Sequence, residues 1–212
     1  MLVCTPLYKD SVVKPLPVYQ FYYLHGFNSS PQAAKAQELA TFLQEQKALD
    51  YQLLVPQLSS RPAQAVAALQ QSVAQAQAQG RQVVLWGSSL GGFYATYLSQ
   101  RLGCRAILIN PVVAPWTHLS RYQQPITNPY SGETYCIGAE HLAELQQLAL
   151  PELPCPQNLQ VWLQKGDEVL DYRQAAAYYQ QAELIIQAGG DHRFQNFYPC
   201  CPRMLAFAQT GQ

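Results

Sequence analysis

Apolar residues along the chain fall into two rhythms that take turns. Short runs dense in β-branched and aromatic residues cover 18–24 (VYQFYYL), 51–55, 82–86 and 104–110 (CRAILIN), and they read as strands. Between them, apolar residues recur at intervals of three and four. A helix is predicted over 31–47, with Pro31 near its start and Ala34, Leu39, Phe42 and Leu43 roughly on one side. A second covers 61–79, where Val66, Leu69 and Val73 keep helical spacing inside an Ala/Gln-rich stretch that Gly80 ends; it reads as a solvated surface helix. A third covers 90–101, stopped by Gly103. The alternation resumes with strands at 159–164 and 183–187 and helices at 174–181 and about 202–209.

Strands and helices alternating in this way specify a mainly parallel sheet of about six strands with helices on both faces. The runs VVLW and AILI are nearly continuous in apolar residues, as strands covered on both sides should be. Two stretches break the rhythm. Residues 1–17 hold three prolines, lack periodicity and read as an extension before the first core strand. Residues 111–157 carry no clear strand, are rich in proline and include one helix-like piece near 138–148. A connection this long is expected to be a small cap inserted over the C-terminal edge of the sheet. The whole chain, 1–212, is expected to form one domain.

Composition adds exclusions. Thirteen basic residues balance thirteen acidic ones, with no basic stripe or polybasic run, so neither nucleic acid nor a stable membrane anchor is expected. No apolar stretch reaches transmembrane length and no signal-peptide pattern opens the chain, so the expected location is the cytoplasm. Cys4, Cys104, Cys136, Cys155, Cys200 and Cys201 form no C-x-x-C pair and read as unpaired thiols in a reducing compartment. No His-x-x-x-His arrangement suggests zinc, and neither metal nor cofactor is expected.

The chemistry begins at Gly87-Ser88-Ser89-Leu90-Gly91, a G-x-S-x-G match followed by Gly92. The pattern alone is of modest specificity, but it stands between a strand and a helix, where the nucleophile elbow of an α/β-hydrolase fold belongs. There a tight turn lifts the serine Oγ clear of the backbone, and small residues at Gly87 and Gly91 let strand and helix approach. Ser88 occupies an x position and should face away. The fold requires serine, acid and histidine in that chain order. Of the four histidines, only His192 follows the last strand, and Asp167 lies nearest the end of the strand before it. Glu168 should point elsewhere, Asp171 should cap the next helix, and Asp191 reads as a surface acid beside the base. The expected assignment is Ser89 as nucleophile, His192 as general base and Asp167 as the acid that orients it. Leu24-His25-Gly26-Phe27 closes the first strand, and backbone N–H groups of Phe27 and Leu90 would form the oxyanion hole. His25 and Gly26 would support that turn, His25 as a loop-fixing residue.

With these residues in view, the chain resembles the YqiA-like esterases, small bacterial α/β-hydrolases. The segments that carry the resemblance are YLHGFNSSPQAAKA (23–36), WGSSLGGFYATYLSQ (86–100), INPVVAP (109–115), NPYSGETY (128–135), GDEVLDYRQAAAYY (166–179) and GGDHRF (189–194). The resemblance implies the triad on Ser89, Asp167 and His192, the H-G motif on His25 and Gly26, and hydrolysis of short acyl esters or acyl thioesters. The partner is then a small-molecule ester or thioester; the sequence gives no oligomeric state. Cap aromatics Trp116, Tyr122, Tyr130 and Tyr135 either line an acyl pocket or pack the cap down. Two other readings remain open: a thioesterase or peptidase with the same triad, and a non-catalytic binding module on a hydrolase fold.

Overall fold

The computed structural model describes residues 18–122 and 124–210, so the 1–17 extension and Cys4 lie outside the described residues. In chain order the elements are β1 (Tyr19–Leu24), α1 (Ala34–Gln44), β2 (Tyr51–Leu54), α2 (Pro62–Ala78), β3 (Gln82–Ser88), α3 (Leu90–Leu102), β4 (Arg105–Ile109), α4 (Pro115–Leu119), β5 (Ile126–Thr127), β6 (Thr134–Tyr135), α5 (Ala139–Gln147), β7 (Leu159–Gln164), α6 (Tyr172–Tyr178), β8 (Glu183–Gln187) and α7 (Phe197–Gln209). Six strands pair in the order β2-β1-β3-β4-β7-β8, every neighbour parallel.

Successive side chains of each strand point to opposite faces, and this alternation divides the core in two. Val83 and Leu85 of β3, with Leu108 of β4 and Val161 of β7, pack under α2, α3 and α6. Val84, Trp86, Ile107, Ile109 and Trp162 pack on the other face, under α1 and α7. The Ala/Gln-rich helix α2 buries Ala65, Val66, Leu69, Val73 and Ala76. Those positions form one stripe, and its glutamines are left mainly to solvent. Cys104, Cys136, Cys155, Cys200 and Cys201 are all unpaired. Among the described residues no helix is long and apolar enough to cross a membrane.

Several boundaries differ from those expected. The last helix begins at Phe197, five residues ahead of the expected start, and carries Pro202 in its interior. Pro199 falls in the first turn, where a missing N–H has no helical partner to lose. Pro202 deprives only the Tyr198 carbonyl of its donor. Phe197, Cys200, Cys201 and Met204, at intervals of three and four, bury a continuous stripe on the sheet that outweighs this loss. The sixth helix starts at Tyr172 rather than 174, because the Asp171 carboxylate accepts the Arg173 N–H at 3.0 Å and caps it.

The expected strandless insertion contains, besides α5, the short helix α4, a hairpin of two two-residue strands (β5 and β6) and the start of a 3-10 turn at Pro156–Asn158. It is tied to the N-terminal end of α2: Arg61 pairs with Glu140 at 3.0 Å and with Glu144, whose second oxygen accepts the Ala63 N–H at 3.0 Å. It is tied to the turn after β1 through Asn128, whose amide donates to the Ser29 carbonyl at 3.0 Å.

Candidate active site

Four chain turns at the C-terminal ends of β1, β3, β7 and β8 converge. At the end of β3, Ser89 holds φ 53° and ψ −117°, a left-handed conformation that a non-glycine residue adopts only under constraint. The constraint is visible. The Ser89 N–H donates to the Ile109 carbonyl at 3.0 Å, and its own carbonyl accepts from Gly92 (3.0 Å) and Val112 (3.2 Å). A Cβ on Gly91 would drive into the Leu24 carbonyl and come within 2.7 Å of the His25 carbonyl oxygen; one on Gly87 would meet Gly91 and lie 2.8 Å from the Ala95 Cβ. The two glycines are therefore what lets α3 start this close to β1 and β3. Ser88 is buried and hydrogen-bonds Tyr23.

After β7, Asp167 places its side chain almost completely out of solvent. One carboxylate oxygen accepts the N–H groups of Val169 (2.9 Å) and Leu170 (2.8 Å), which fix its orientation. The other accepts from His192 Nδ1 at 2.8 Å. With Nδ1 donating, Nε2 carries the lone pair, and it accepts from Ser89 Oγ at 3.1 Å. The structure thus brings the three expected residues into one hydrogen-bonded line from three strand ends.

The turns bearing Asp167 and His192 are fastened to each other. The Gly166 N–H donates to the Gly189 carbonyl at 2.8 Å, and Gly166 has no room for a Cβ against Gly189 and Gly190. Gly189 and Gly190 take φ of 68° and 76°, the left-handed conformation that glycine tolerates. Beneath them the buried side chain of Gln164 accepts the N–H groups of Asp191 (3.2 Å) and Gln195 (2.9 Å) and donates to the Gln195 carbonyl (2.8 Å). Buried Asn110 accepts the Gln164 N–H at 2.9 Å and donates to the Asp191 carbonyl at 3.0 Å.

These two amides were not anticipated from sequence, and Glu168 and Asp191 behave differently from expectation. Glu168 accepts the His192 backbone N–H at 3.1 Å, so it holds that residue's main chain instead of pointing away. Asp191 is folded inward by the glycine turn: one oxygen is buried and the other accepts from Gln195 at 3.0 Å.

The turn after β1 completes the site. Gly26 lies against Ser89, where a Cβ would sit 3.4 Å from the serine Cβ, and Phe27 and Leu90 line the same cavity. Leu90 opens α3, so its N–H is one of those a helix start leaves free for an incoming oxygen. His25 is buried beneath this turn. Its Nε2 faces the Leu58 N–H at 3.3 Å and must accept, so Nδ1 donates to the Gly26 carbonyl at 3.0 Å. Burial lowers its pKa, opposed by the bond to Gly26. The folded protein therefore favours the neutral ring, and protonation costs stability. This contribution is complete above the ordinary histidine value of 6.5 and is lost as pH falls through the lowered one. Melting temperatures taken from about pH 7.5 down to about pH 5 should fall more steeply for wild type than for His25→Gln.

These turns floor a cavity of about 400 Å³ containing Ser89 and His192. Of the four cap aromatics, only Tyr122 lines it, its ring 5.2 Å from that of Phe27. Trp116 packs edge-on against Phe93, Tyr135 stands against the outer side of Phe27, and Tyr130 is exposed. Lys35, His118, Arg121 and Arg193 also line the cavity and were not singled out from sequence. His118 has its pKa lowered by burial first and then by Arg121 and His192 nearby.

A serine on a strained strand-to-helix turn, with acid and histidine after the last two strands of a parallel sheet, is the layout of an α/β-hydrolase fold, and solved structures agree. Est1E from Butyrivibrio proteoclasticus, with ferulic acid bound, is similar with a TM-score of 0.68 at 11% identity, covering 91% of this chain and 88% of that one. Alpha/beta hydrolase domain-containing protein 10 from mouse gives 0.64 at 14% identity over 88% of each chain. The esterase domain of a Rhodothermus marinus protein gives 0.60 at 18%, over 92% of this chain and 88% of that one. The model of the uncharacterised protein family UPF0227 matches residues 20–209. The chain belongs to that family, the family of the YqiA-like esterases.

Proposed function

We propose that the protein is a serine esterase that hydrolyses small acyl esters through an acyl-enzyme on Ser89. The observation that carries this reading is the line from Asp167 through His192 to Ser89 Oγ, at 2.8 and 3.1 Å, on the floor of the cavity. In the first half-reaction Ser89 Oγ attacks the ester carbonyl carbon as His192 Nε2 takes its proton. The charge developing on the carbonyl oxygen is met by the N–H groups of Phe27 and Leu90, a contribution of a few kcal/mol to the barrier for each donor. The C–O bond breaks and His192 returns the proton to the departing alcohol. Water then repeats the sequence to release the acid. Asp167 holds the imidazole in the required tautomer throughout. The apolar side of the cavity, Phe27, Leu119, Tyr122 and Leu170, is suited to a short acyl chain.

Labelling with a fluorophosphonate probe and hydrolysis of p-nitrophenyl esters from acetate to octanoate test this together. Wild type should label stoichiometrically and turn over the shorter esters best, and Ser89→Ala should do neither. Folded wild type that refuses the probe would point to a binding module. Activity that survives Ser89→Ala would remove the assignment.

A further inference from the structure

Lys35, Arg121 and Arg193 line the Ser89 cavity together with His118, and among the described residues no carboxylate lines it. Lys35 is the least expected of these. It is the second residue of α1, in the first turn, where the helix dipole disfavours a cation. It is only partly exposed, and burial lowers its pKa; nearby Arg193 pushes the same way, while Glu38 and Asp191 oppose. Glu38 accepts the Tyr198 N–H at 3.2 Å, and one Asp191 oxygen accepts from Gln195 while the other is buried with no hydrogen-bond partner among the described residues; neither carboxylate reaches Lys35 Nζ within ion-pair distance. Among the described residues Lys35 forms no ion pair. Its Nζ donates to the Arg193 carbonyl at 2.6 Å, which occupies one of three N–H groups. Lys35 is thus a partly desolvated ammonium in the first turn of a helix, with Glu38 and Asp191 acting on it from beyond ion-pair distance, on the wall of a cavity that no carboxylate of the described residues lines.

The position of Lys35 also says which part of a substrate would meet it. The carbonyl it binds is that of the residue after His192, so Lys35 stands on the side of the base. In the esterase reading, His192 hands its proton to the leaving alcohol on that side, while the acyl chain lies among Phe27, Leu119, Tyr122 and Leu170.

We propose that the ester cleaved at Ser89 carries an oxyanion, a carboxylate or a phosphate, on its alcohol part, and that Lys35 and Arg193 bind it. The inference rests on the esterase reading. The overall change is addition of water across the acyl C–O bond, giving a neutral-chain carboxylic acid and a hydroxy compound that keeps its anionic group. Arg121 extends the positive field across the cavity and speeds entry of such a substrate.

The test is a matched pair of acetates, 4-acetoxybenzoate and its methyl ester, which differ in charge and hardly in shape. The methyl ester has the better leaving group, so a preference for the anion reports recognition and not intrinsic reactivity. Wild type should show kcat/KM about tenfold higher for 4-acetoxybenzoate, as expected for one charge-assisted contact at a partly exposed site, and added salt should reduce the ratio. In Lys35→Met the ratio should fall to about one or below. A larger ratio for 4-acetoxyphenyl phosphate would assign the oxyanion to phosphate, and a smaller one to carboxylate. Equal turnover of the pair by active wild type, or a preference that survives Lys35→Met, overturns the proposal.

A second measurement separates it from the esterase reading. In calorimetric titrations, Ser89→Ala should bind 4-hydroxybenzoate more tightly than methyl 4-hydroxybenzoate, and Ser89→Ala/Lys35→Met should not. Tighter binding of the anion in a protein that refuses the fluorophosphonate probe and every ester would overturn the esterase reading while keeping the anion site. No difference in binding overturns the site itself.

Discussion

Replacing Ser89 or His192 with alanine should each lower kcat for a short p-nitrophenyl ester by about a million-fold, and replacing both should cost no more than either alone. The reason is the geometry of the line they form. Ser89 Oγ has Nε2 of His192 as its proton acceptor at 3.1 Å, so removing either end removes the same event. Asp167 does something different, and its variants should separate from the other two. Its carboxylate selects the tautomer in which Nε2 is free to accept, and Asp167→Asn can present an N–H to Nδ1 instead. The wrong tautomer then faces Ser89, and kcat should fall by about ten-thousand-fold with the fold intact. Parallel steady-state kinetics on the four variants, with circular dichroism as the folding control, decide this. A double variant markedly slower than both single variants would show that Ser89 and His192 do not act as one unit.

Gly91→Ala is expected to be strongly destabilising. The added Cβ would overlap the Leu24 carbonyl and lie 2.7 Å from the His25 carbonyl oxygen, and these are backbone atoms at and just past the end of the interior strand β1. They cannot rotate away as a side chain would, so α3 must shift outward from the sheet. The expected loss is about 3 kcal/mol or more, at the upper end of overpacking effects. Gly132→Ala is the comparison: Gly132 also has no side chain, but its φ is 74° and nothing lies within 4 Å of a Cβ placed there. Only the left-handed conformation is then penalised, by about 1 kcal/mol. Urea denaturation of the two variants beside wild type gives both numbers. A Gly91→Ala protein as stable as Gly132→Ala would mean that the elbow is less tightly packed than these distances require.

Much of this was legible in the sequence because strand, turn and helix are local. The run VVLW before Gly87 and the helical pattern after Leu90 placed the elbow, and Ser89 proved to hold the conformation that such a turn demands. Asp167 and His192 could be chosen because each follows a strand whose limits the pattern gave to the residue. What the pattern could not give were contacts between distant segments. Asn110 and Gln164 look like ordinary strand-end amides, and only the pairing of β4 with β7 reveals that they hold the base-bearing turn. Lys35 and Arg193 stand 158 positions apart, and nothing local tells of the bond between them. Pro202 misled for another reason: a proline signals a helix start when read alone, and the apolar stripe from Phe197 overrides it only once the sheet is there to receive it.

The order of strands also divides the site unevenly. The serine and the Gly26–Phe27 turn leave β3 and β1, each flanked on both sides, whereas the histidine follows β8, an edge strand with a single neighbour and no fully buried residue. Segments of this kind open at a fraction of the free energy of global unfolding. The His192 turn therefore depends less on its own strand than on the bonds that tie it to Asn110, Gln164 and Glu168. Were those bonds cut, Ser89 would keep its turn while His192 lost its place, and the proposed machinery would fall silent without the protein coming apart.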